Sequence, residues 1–254
     1  MDDAYRRLEI QRDKLRIKDK DEEERKTYDE VFDKQTLLAL YDLMSSGLIE
    51  TVDFPISTGK EGNVFRATGK SSRLLAVKIY RIATATFHAI NKYIVGDPRF
   101  KGLERNRRKL IFAWAQKEYK NLLRLREHGV RVPAPQGYSK NVLVMEYIGD
   151  EHSPAPMLRD VVLERPEAFL EDMIEMMRRA YVGAGIVHAD MSEYNILVHD
   201  GLGVIIDVGQ AVTRDHVNAA EYLERDVANL LRYFSRLGVR RDRAEVLAHV
   251  RGEK

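Results

Sequence analysis

The sequence contains no cysteine, which excludes disulfide bonds and metal sites built on thiolate ligands. It has no apolar run near the roughly 20 residues that span a bilayer, and its first residues, M-D-D-A-Y-R-R, lack the apolar core of a signal peptide. Neither sign of charge dominates, since 42 Lys and Arg against 40 Asp and Glu leave a net charge of +2. We therefore expect a cytoplasmic protein with no membrane partner, in which any affinity for RNA comes from a local patch.

The 254 residues, 44% of them hydrophobic, allow one large domain or two small lobes with a buried core. Charges of both signs dominate residues 1–34, as in K-D-K-D-E-E-E-R-K at 18–26, which is typical of a solvated helix or of a partly disordered segment. From Asp33 onwards apolar residues recur at helical spacing up to Met44, and Gly47 is expected to end that helix.

The most informative stretch is I-V-H-A-D-M-S-E-Y-N-I-L-V-H-D-G-L-G-V-I-I-D-V-G-Q, at 186–210. Asp200-Gly201 predicts a turn between an apolar strand at 196–199 and a second one at 204–208, which Asp207 ends. Such a hairpin brings Asn195 and Asp207 together, and two oxygen ligands there suit a hard cation such as Mg²⁺ on a polyphosphate. Asp190 is then free to accept a proton. The spacing is similar to the catalytic and metal loops of protein kinases; the competing interpretation is a buried polar turn.

A second pattern, I-S-T-G-K-E-G-N-V-F-R-A at 56–67, predicts a hairpin whose glycines let the backbone approach a ligand closely. The N–H groups of the turn, with Lys60 and the hydroxyls of Ser57 and Thr58, can face phosphate oxygens. A plain hairpin turn is the alternative.

Lys78 interrupts the apolar strand L-L-A-V-K-I-Y at 74–80, where an unpaired buried charge is costly. Glu118 falls on the apolar stripe of a helix predicted over about 104–128 and has no basic neighbour on its own helix, which predicts a tertiary partner. Lys78 is the natural candidate for the partner of Glu118. The competing interpretation is that Lys78 lies on an edge strand and extends its ammonium group into solvent. The long gap between the two predicts an inserted, mobile segment at 83–103.

Residues 99–109 contain six basic residues and a single acid, Glu104, and are the most basic part of the chain. They form either the solvated start of a helix or a contact for RNA or another acidic partner. Residues 132–140, V-P-A-P-Q-G-Y-S-K, indicate a turn-rich connector before a buried strand at 141–148. The remainder is predicted to be helical, at 166–182, around Tyr222 to Phe234, and at about 241–250.

The strings S-T-G-K-E-G-N-V, H-A-D-M-S-E-Y-N-I-L-V and I-I-D-V-G-Q-A-V resemble the RIO family of atypical protein kinases, in its first subfamily, over about residues 35–240. The resemblance implies an α+β, two-lobed protein-kinase-like fold with a small β-rich N-lobe and a reduced helical C-lobe. The expected division is a helical extension at 1–48, an N-lobe at 49–148 and a C-lobe at 149–254.

The resemblance also implies roles: Asp190 as catalytic base, Asn195 and Asp207 as metal ligands, Lys78 on the phosphates, and Asp226 as a brace of the catalytic loop. It implies binding of ATP with Mg²⁺, or Mn²⁺ as the alternative metal, and autophosphorylation through an aspartyl-phosphate at Asp207. It further implies ATPase activity and association with precursors of the small ribosomal subunit. The residues expected to contact the nucleotide are Ser57, Thr58, Gly59, Lys60, Glu61, Gly62, Val64, Lys78, Glu118, Met145, Glu146, Tyr147, Ile148, Asn195 and Asp207.

Some features depart from ordinary protein kinases. Ala189 replaces the arginine of H-R-D, Ser192 replaces the catalytic-loop lysine, and no A-P-E follows Asp207, so the peptide-substrate platform is expected to be reduced. Two alternatives stay open at this point. One is a small-molecule kinase of the aminoglycoside or choline type, and the other is a non-catalytic ATP-binding assembly factor.

Overall fold

A computed structural model describes residues 31–59, 62–82, 93, 100, 102–103 and 106–253. Lys60 and Glu61, most of the expected insertion at 83–103, and Arg99, Lys101 and Arg105 of the basic run lie outside the described residues. Contacts divide the chain into two compact units. The first comprises Met1–Asn91, Pro98–Tyr119 and Pro135–Tyr147, and the second comprises Lys92–Asp97, Lys120–Ala134 and Ile148–Lys254.

The first unit is built on a five-stranded antiparallel sheet in the order β1-β2-β3-β5-β4. The unit also contains a helix, α1, and a short 3-10 turn, Lys70–Ser72, between β2 and β3. The bounds are α1 Lys34–Ser45, β1 Thr51–Thr58, β2 Gly62–Gly69, β3 Arg73–Tyr80, β4 Pro135–Ser139 and β5 Val142–Glu146.

One face of this sheet forms a hydrophobic core with α1. Alternate residues of β2 and β3, such as Phe65 and Val77, are fully buried there against Leu40 of the helix. Asp33 caps α1 by accepting a hydrogen bond from the backbone N–H of Thr36 at 2.8 Å. The helix predicted from the Leu37–Met44 spacing is therefore present, and it covers the sheet face opposite to Lys78.

The prediction of a turn-rich connector at 132–140 is wrong in part, because residues Pro135–Ser139 form the edge strand β4. Proline is tolerated at the first residue of an edge strand, where no ladder hydrogen bond needs its missing N–H. The pairing with β5 also shifts register between Pro135 and Gly137. β1 likewise accommodates Pro55 at the other edge of the sheet, beside an irregularity in its register.

Helix α2, Arg107–Glu127, links the two units, with its residues up to Tyr119 in the first and its residues from Lys120 in the second. Asn106 precedes it and accepts a hydrogen bond from the N–H of Lys109 at 3.0 Å. The predicted stripe is buried, including Ile111, Leu122 and Glu118.

Among its described residues, the second unit contains the end of α2, the helices α3, α4 and α5, and two small sheets, one pairing β6 with β9 and one pairing β7 with β8. A 3-10 turn at Leu158–Asp160 precedes α3. The bounds are α3 Pro166–Arg178, β6 Ile186–Val187, β7 Ile196–His199, β8 Leu202–Ile205, β9 Val212–Thr213, α4 Ala219–Arg236 and α5 Arg243–Arg251.

Two details of this unit differ from the sequence predictions. The helix expected over 166–182 is α-helical only to Arg178 and continues as a π-helical turn, Arg179–Gly183. The second strand of the hairpin ends at Ile205 rather than at Asp207, because Asp207 has a backbone φ of 58°, which a strand does not allow. The metal-loop aspartate therefore lies in a turn just beyond the hairpin.

The hairpin itself is present, with Asp200-Gly201 at its turn and Ile196 paired with Ile205. It packs on α3 through Gly203, where an added Cβ would lie 2.4 Å from Met173 Sδ and 3.0 Å from Phe169 Cζ. The methionines of α3 are buried packing residues, as the sequence predicts. No helix within the part of the chain that the structure describes has the length and apolar character needed to cross a bilayer.

Candidate active site

Within the first unit, the candidate site residues form an ion pair. Lys78 Nζ donates to both carboxylate oxygens of Glu118, each at 3.0 Å. The two side chains are 11% and 1% exposed. β3 is the central strand of the sheet, so the alternative of a lysine extending from an edge strand is wrong. The pairing inferred from an acid without a local partner is therefore present, and it fixes the ammonium group on one face of the sheet.

That sheet face carries further residues beside Lys78. Val64 is the direct partner of Lys78 on β2, and Ala76 is paired with Met145 on β5. Directly paired residues point to the same face, and so do residues two apart on a strand. Ala76, which the sequence prediction did not include, therefore shares this face with Val64, Lys78 and Met145. Its position two residues before Lys78 is the signal that could have identified it.

The glycine turn joins β1 to β2. The N–H of Gly59 donates to the carbonyl of Gly62 at 2.9 Å, which closes a four-residue turn. An added Cβ at Gly62 would lie 2.5 Å from the carbonyl oxygen of Ile79, so packing against β3 alone requires glycine there. At Gly59 the nearest atom to an added Cβ is 3.3 Å away. The two glycines of the motif are therefore constrained to different degrees.

Within the second unit, a separate group of candidate site residues lies around Asp190 and Asn195. Asp190 is exposed, and Asn195 Nδ2 donates to its carbonyl oxygen at 2.8 Å and to its Oδ2 at 3.3 Å. Because the amide nitrogen is used in these bonds, the Oδ1 atom of Asn195 is directed elsewhere as an acceptor. An accessible carboxylate held by an amide fits a group that orients a nucleophile.

His188 connects this loop to the segment that carries Asp207. Its Nε2 lies 3.0 Å from the carbonyl oxygen of Ile206, and the N–H of Asp190 donates to its Nδ1 at 3.3 Å. The two contacts together require the neutral tautomer with hydrogen on Nε2, because Nδ1 must accept while Nε2 donates. His188 thus fixes the backbone of Asp190 relative to the residue before Asp207.

Helix α4 braces the catalytic loop. Asp226, fully buried, accepts from the N–H of Ala189 at 2.8 Å and from the N–H of Met191 at 2.9 Å. These two bonds flank Asp190 and hold Ala189 at a φ of 68°, which costs a non-glycine residue of the order of 1 kcal/mol. The brace that the resemblance implies for Asp226 is present in this geometry.

Two further residues of α4 take part, and the sequence analysis did not identify either of them. Arg225 NH2 donates to the carbonyl of Ala189, and Asn229 Nδ2 donates to the carbonyl of Met191 at 3.1 Å. Arg225 and Asn229 are four residues apart and so share one helix face beside Asp226. Desolvation raises the pKa of Asp226, and the backbone N–H groups of Met191 and Ala189 that donate to its carboxylate oppose that rise.

Asp207 is positioned from both sides along the chain. Before it, the N–H of Ile206 donates to the carbonyl of Asn195 at 3.0 Å, which places the backbone of the two predicted metal ligands side by side. After it, Asn121 of α2 donates from Nδ2 to the carbonyl of Val208 at 2.9 Å. Asn121 is buried, and its role in holding the segment after Asp207 had no signal in the sequence.

The donors present fit Mg²⁺ held jointly with a polyphosphate. Within residues 31–59, 62–82 and 106–253, no group of three or more His, Asp or Glu side chains could hold a metal ion. Magnesium does not need such a cage, since it is commonly bound by one or two protein oxygens, phosphate oxygens and water. The carboxylate of Asp207 and the Oδ1 of Asn195 supply two such oxygens.

The expected adenine-binding segment, residues 145–148, comprises the last two residues of β5 and the two residues after it. Met145 and Glu146 are the last residues of that strand, Tyr147 is buried, and the boundary between the two units falls between Tyr147 and Ile148. A turn comes next, in which Asp150 Oδ1 accepts from the N–H groups of His152 and Ser153 at 2.8 and 2.7 Å. The bond from Ser153 and then that from His152 lower the pKa of Asp150.

Comparison with known proteins assigns the chain to a family. A family model described as the RIO domain matches residues 63–246. The RIO-type serine/threonine-protein kinase Rio1 of Haloferax volcanii is 42% identical over 253 residues, covering 100% of this chain and 87% of the relative. The protein of the same name from Methanocaldococcus jannaschii is 38% identical and covers 97% and 84%. The human serine/threonine-protein kinase RIO1 is 40% identical, but the match spans only 40% of its length.

Solved structures agree on the fold. A Rio2 kinase from Chaetomium thermophilum, described as an ADP/Mg²⁺-phosphoaspartate complex, matches with a TM-score of 0.70 and 23% identity over 88% of this chain and 68% of that one. A second structure of that kinase gives a TM-score of 0.66 with 26% identity, over 81% and 62%. The protein-kinase-like α+β fold and the resemblance to the first RIO subfamily are both confirmed.

Proposed function

The chain belongs to the RIO family of serine/threonine-protein kinases, and from this premise we propose that it binds Mg·ATP and transfers the γ-phosphoryl group to itself or to water. The observation that carries the proposal is the buried pair of Lys78 and Glu118, in which both carboxylate oxygens hold one ammonium group. In protein kinases such a pair must be in place before the phosphates can be positioned.

Each side chain has a task in this reaction. Lys78 neutralises phosphate charge, and Glu118 keeps its ammonium group in a single position. The Oδ1 of Asn195 and the carboxylate of Asp207 hold Mg²⁺, which supplies charge stabilisation when it is bound. Asp190 orients the attacking group and, when water hydrolyses the acyl phosphate, accepts the proton of that water. The backbone around Asp190 is held on both sides by Asp226.

The acceptor in our proposal is Asp207 itself. A carboxylate oxygen of Asp207 attacks the γ-phosphorus, the bond from that phosphorus to the β–γ bridging oxygen breaks, and ADP leaves with the electron pair. Water then hydrolyses the acyl phosphate, and phosphate is released. Two points support this: the related Rio2 structure is described as a phosphoaspartate complex, and this chain lacks the A-P-E that follows the metal loop of ordinary kinases.

The test separates label on the protein from released phosphate. The chain is incubated with γ-labelled ATP and Mg²⁺, and the protein-bound label is then treated with hydroxylamine, which cleaves acyl phosphates. We expect label that hydroxylamine removes, and we expect Asp207→Asn to abolish it. Asp190→Ala should slow phosphate release by a factor of about 10² to 10⁴, the usual contribution of a general base.

The matched control is Asp200→Asn, which makes the same chemical change at the exposed tip of the hairpin. Asp200 has a φ of 52°, a conformation that asparagine tolerates well, so this variant should retain full labelling. Label that resists hydroxylamine and survives in Asp207→Asn would mean ordinary hydroxyl phosphorylation. Phosphate transfer to an added alcohol or aminoglycoside would favour the small-molecule kinase instead, and no label or phosphate in the wild type would favour the binding factor.

We also propose that the partner is a precursor of the small ribosomal subunit, as the family resemblance implies. The described part of the basic run, Arg107, Arg108 and Lys109, begins α2 and is exposed, which supports a contact with RNA. Cosedimentation of the chain with small-subunit precursors should weaken when Arg107 and Arg108 are both changed to Gln. Unchanged cosedimentation would remove this patch from the interface.

A further inference from the structure

A concave surface of about 520 Å³ lies on the second unit, between α4 and the segment that leads into α5. Four arginines, Arg232, Arg240, Arg241 and Arg243, line it, and none of its lining residues is acidic. Leu231 and Ser235 are among its remaining lining residues. We call this surface the arginine groove; it contains no residue assigned above to nucleotide, metal or loop bracing.

Its charge is only partly neutralised. Arg241 Nε lies 2.6 Å from Glu171 of α3, and Arg243 NH2 lies 3.4 Å from Glu224 of α4. The contact of Arg232 is with a neutral oxygen, Asn229 Oδ1, at 2.6 Å. Among the residues that the structure describes, no carboxylate pairs with Arg232 or Arg240. The positive charges of these two guanidinium groups are therefore not neutralised by a carboxylate within the described part of the chain.

The local sequence strengthens the positive potential. Residues 232–243, R-Y-F-S-R-L-G-V-R-R-D-R, contain five arginines and one acid, Asp242, although the whole chain is nearly neutral. Asp242 is the N-cap of α5, and its Oδ1 accepts from the N–H groups of Ala244 and Glu245 at 2.8 and 3.0 Å. Because its carboxylate is directed to the helix N-terminus, it neutralises the arginines less than its place in the sequence indicates.

The arrangement of these charges selects a class of ligand. The four arginines come from α4, from the segment before α5 and from the first residue of α5, so the cations are distributed along the surface and do not all belong to one turn of chain. The groove is lined by no aromatic residue, so single-stranded bases have nothing to stack on. Separate cations along an open surface match the regularly spaced phosphates of a double helix.

We propose that the arginine groove binds the phosphate backbone of double-helical nucleic acid, without reading its sequence. The proposal is independent of the phosphoryl transfer proposed above, since none of its arginines touches the nucleotide or metal residues. It adds a second cationic surface to the basic run at the start of α2.

The test is fluorescence anisotropy with a labelled 20-base-pair RNA duplex, titrated between about 50 and 300 mM KCl. We expect the logarithm of the binding constant to fall linearly with the logarithm of salt concentration. In Arg240→Gln/Arg241→Gln the slope should shrink by about 2, because each lost phosphate contact removes about 0.9. The dissociation constant near 0.1 M salt should rise on the order of 50-fold, equally for duplexes of unrelated sequence.

The control, Arg73→Gln/Arg214→Gln, removes the same charge from two exposed arginines outside the groove, one beginning β3 and one preceding α4. It should leave the slope unchanged, and phosphate release from ATP should be unaffected in both double variants. A phosphoserine peptide serves as competitor and should displace the duplex only weakly.

The proposal is overturned by any of three results. One is a wild type that does not bind the duplex at 50 mM salt, and another is an equal loss in the groove and control variants. The third is tight peptide binding that depends on Arg240 and Arg241 while duplex binding does not. An Arg107→Gln/Arg108→Gln variant that alone abolishes the salt dependence would likewise assign nucleic-acid binding to α2 and not to the groove.

Discussion

Removing one member of the Lys78–Glu118 pair should destabilise the first unit far more than removing both. The single variants Lys78→Met and Glu118→Leu each leave one charge in a site where the side chains are 11% and 1% exposed. Breaking a buried ion pair in this way costs about 3–5 kcal/mol, consistent with two charge-assisted hydrogen bonds of about 1.5–3 kcal/mol each. In the double variant apolar atoms fill the same space, so we expect the free energy of unfolding to fall by only about 1 kcal/mol or to rise slightly.

The chain offers a direct fluorescent probe for comparing the two single variants with the double variant. Its single tryptophan, Trp114, is buried on α2 one turn before Glu118 and belongs to the first unit. Urea unfolding followed by its fluorescence therefore reports on the unit that contains the pair. In thermal unfolding followed by the same fluorescence, each single variant should lower the melting temperature by roughly 10 °C, at about 2–4 °C per kcal/mol for a chain of this size.

An exposed pair supplies the control. Lys140 Nζ lies 3.3 Å from Asp42, with side chains 29% and 53% exposed, so Lys140→Met should cost less than about 1 kcal/mol. The reasoning fails if the free energy of unfolding falls by the same small amount in the two single variants and in the double variant. That outcome would mean that water already screens the Lys78–Glu118 pair.

Three further predictions concern the site. For Asp226, burial raises the pKa above the usual 3.8, so at pH values between the two the folded chain binds a proton that the unfolded chain has released. The free energy of unfolding of the wild type, compared with that of Asp226→Asn, should therefore fall as pH rises from 3.8 through the raised value. Urea unfolding at a series of pH values measures this difference. Gly62→Ala should cost about 1–3 kcal/mol and weaken ATP binding, measured by calorimetry, because its Cβ meets the backbone of β3 at 2.5 Å, whereas Gly59→Ala should be milder. Asn121→Ala leaves the carbonyl of Val208 without its 2.9 Å partner, so it should cost about 1–3 kcal/mol and raise the Mg²⁺ concentration needed for half-maximal turnover.

Each of the three has an outcome that contradicts it. A stability difference between wild type and Asp226→Asn that does not vary with pH would mean that the carboxyl group has the same pKa in both states. Equal effects at Gly59 and Gly62 would show that phosphate binding, and not strand packing, sets the demand for glycine. An unchanged Mg²⁺ requirement in Asn121→Ala would separate α2 from the positioning of Asp207.

The sequence predicted those parts of the site that leave a local conflict in the pattern. Glu118 on an apolar stripe and Lys78 in an apolar strand are each unfavourable alone, and that conflict identified the pair. Asp200-Gly201 between two apolar runs fixed the hairpin, because a tight turn and alternating strands determine each other. β4 was missed, since its proline and its glycine obscure the alternation on which strand prediction depends.

The missed site residues have a common physical basis. Arg225, Asn229 and Asn121 act through single hydrogen bonds to backbone carbonyls of segments 36 or more residues away. A polar residue at the margin of an apolar helix face looks the same whether it meets solvent or a distant carbonyl. Such contacts depend on the tertiary arrangement, and no periodicity records them.

Gly62 shows how a motif can outlast the activity that it is used to recognise. Since a side chain at this position would collide with the carbonyl of Ile79, selection for a folded sheet alone is enough to retain glycine. A descendant that had lost catalysis would still display this half of the glycine pattern. Loss of Asp190 or Asp207 is therefore the better sign of decay, because neither residue lies in the five-stranded sheet.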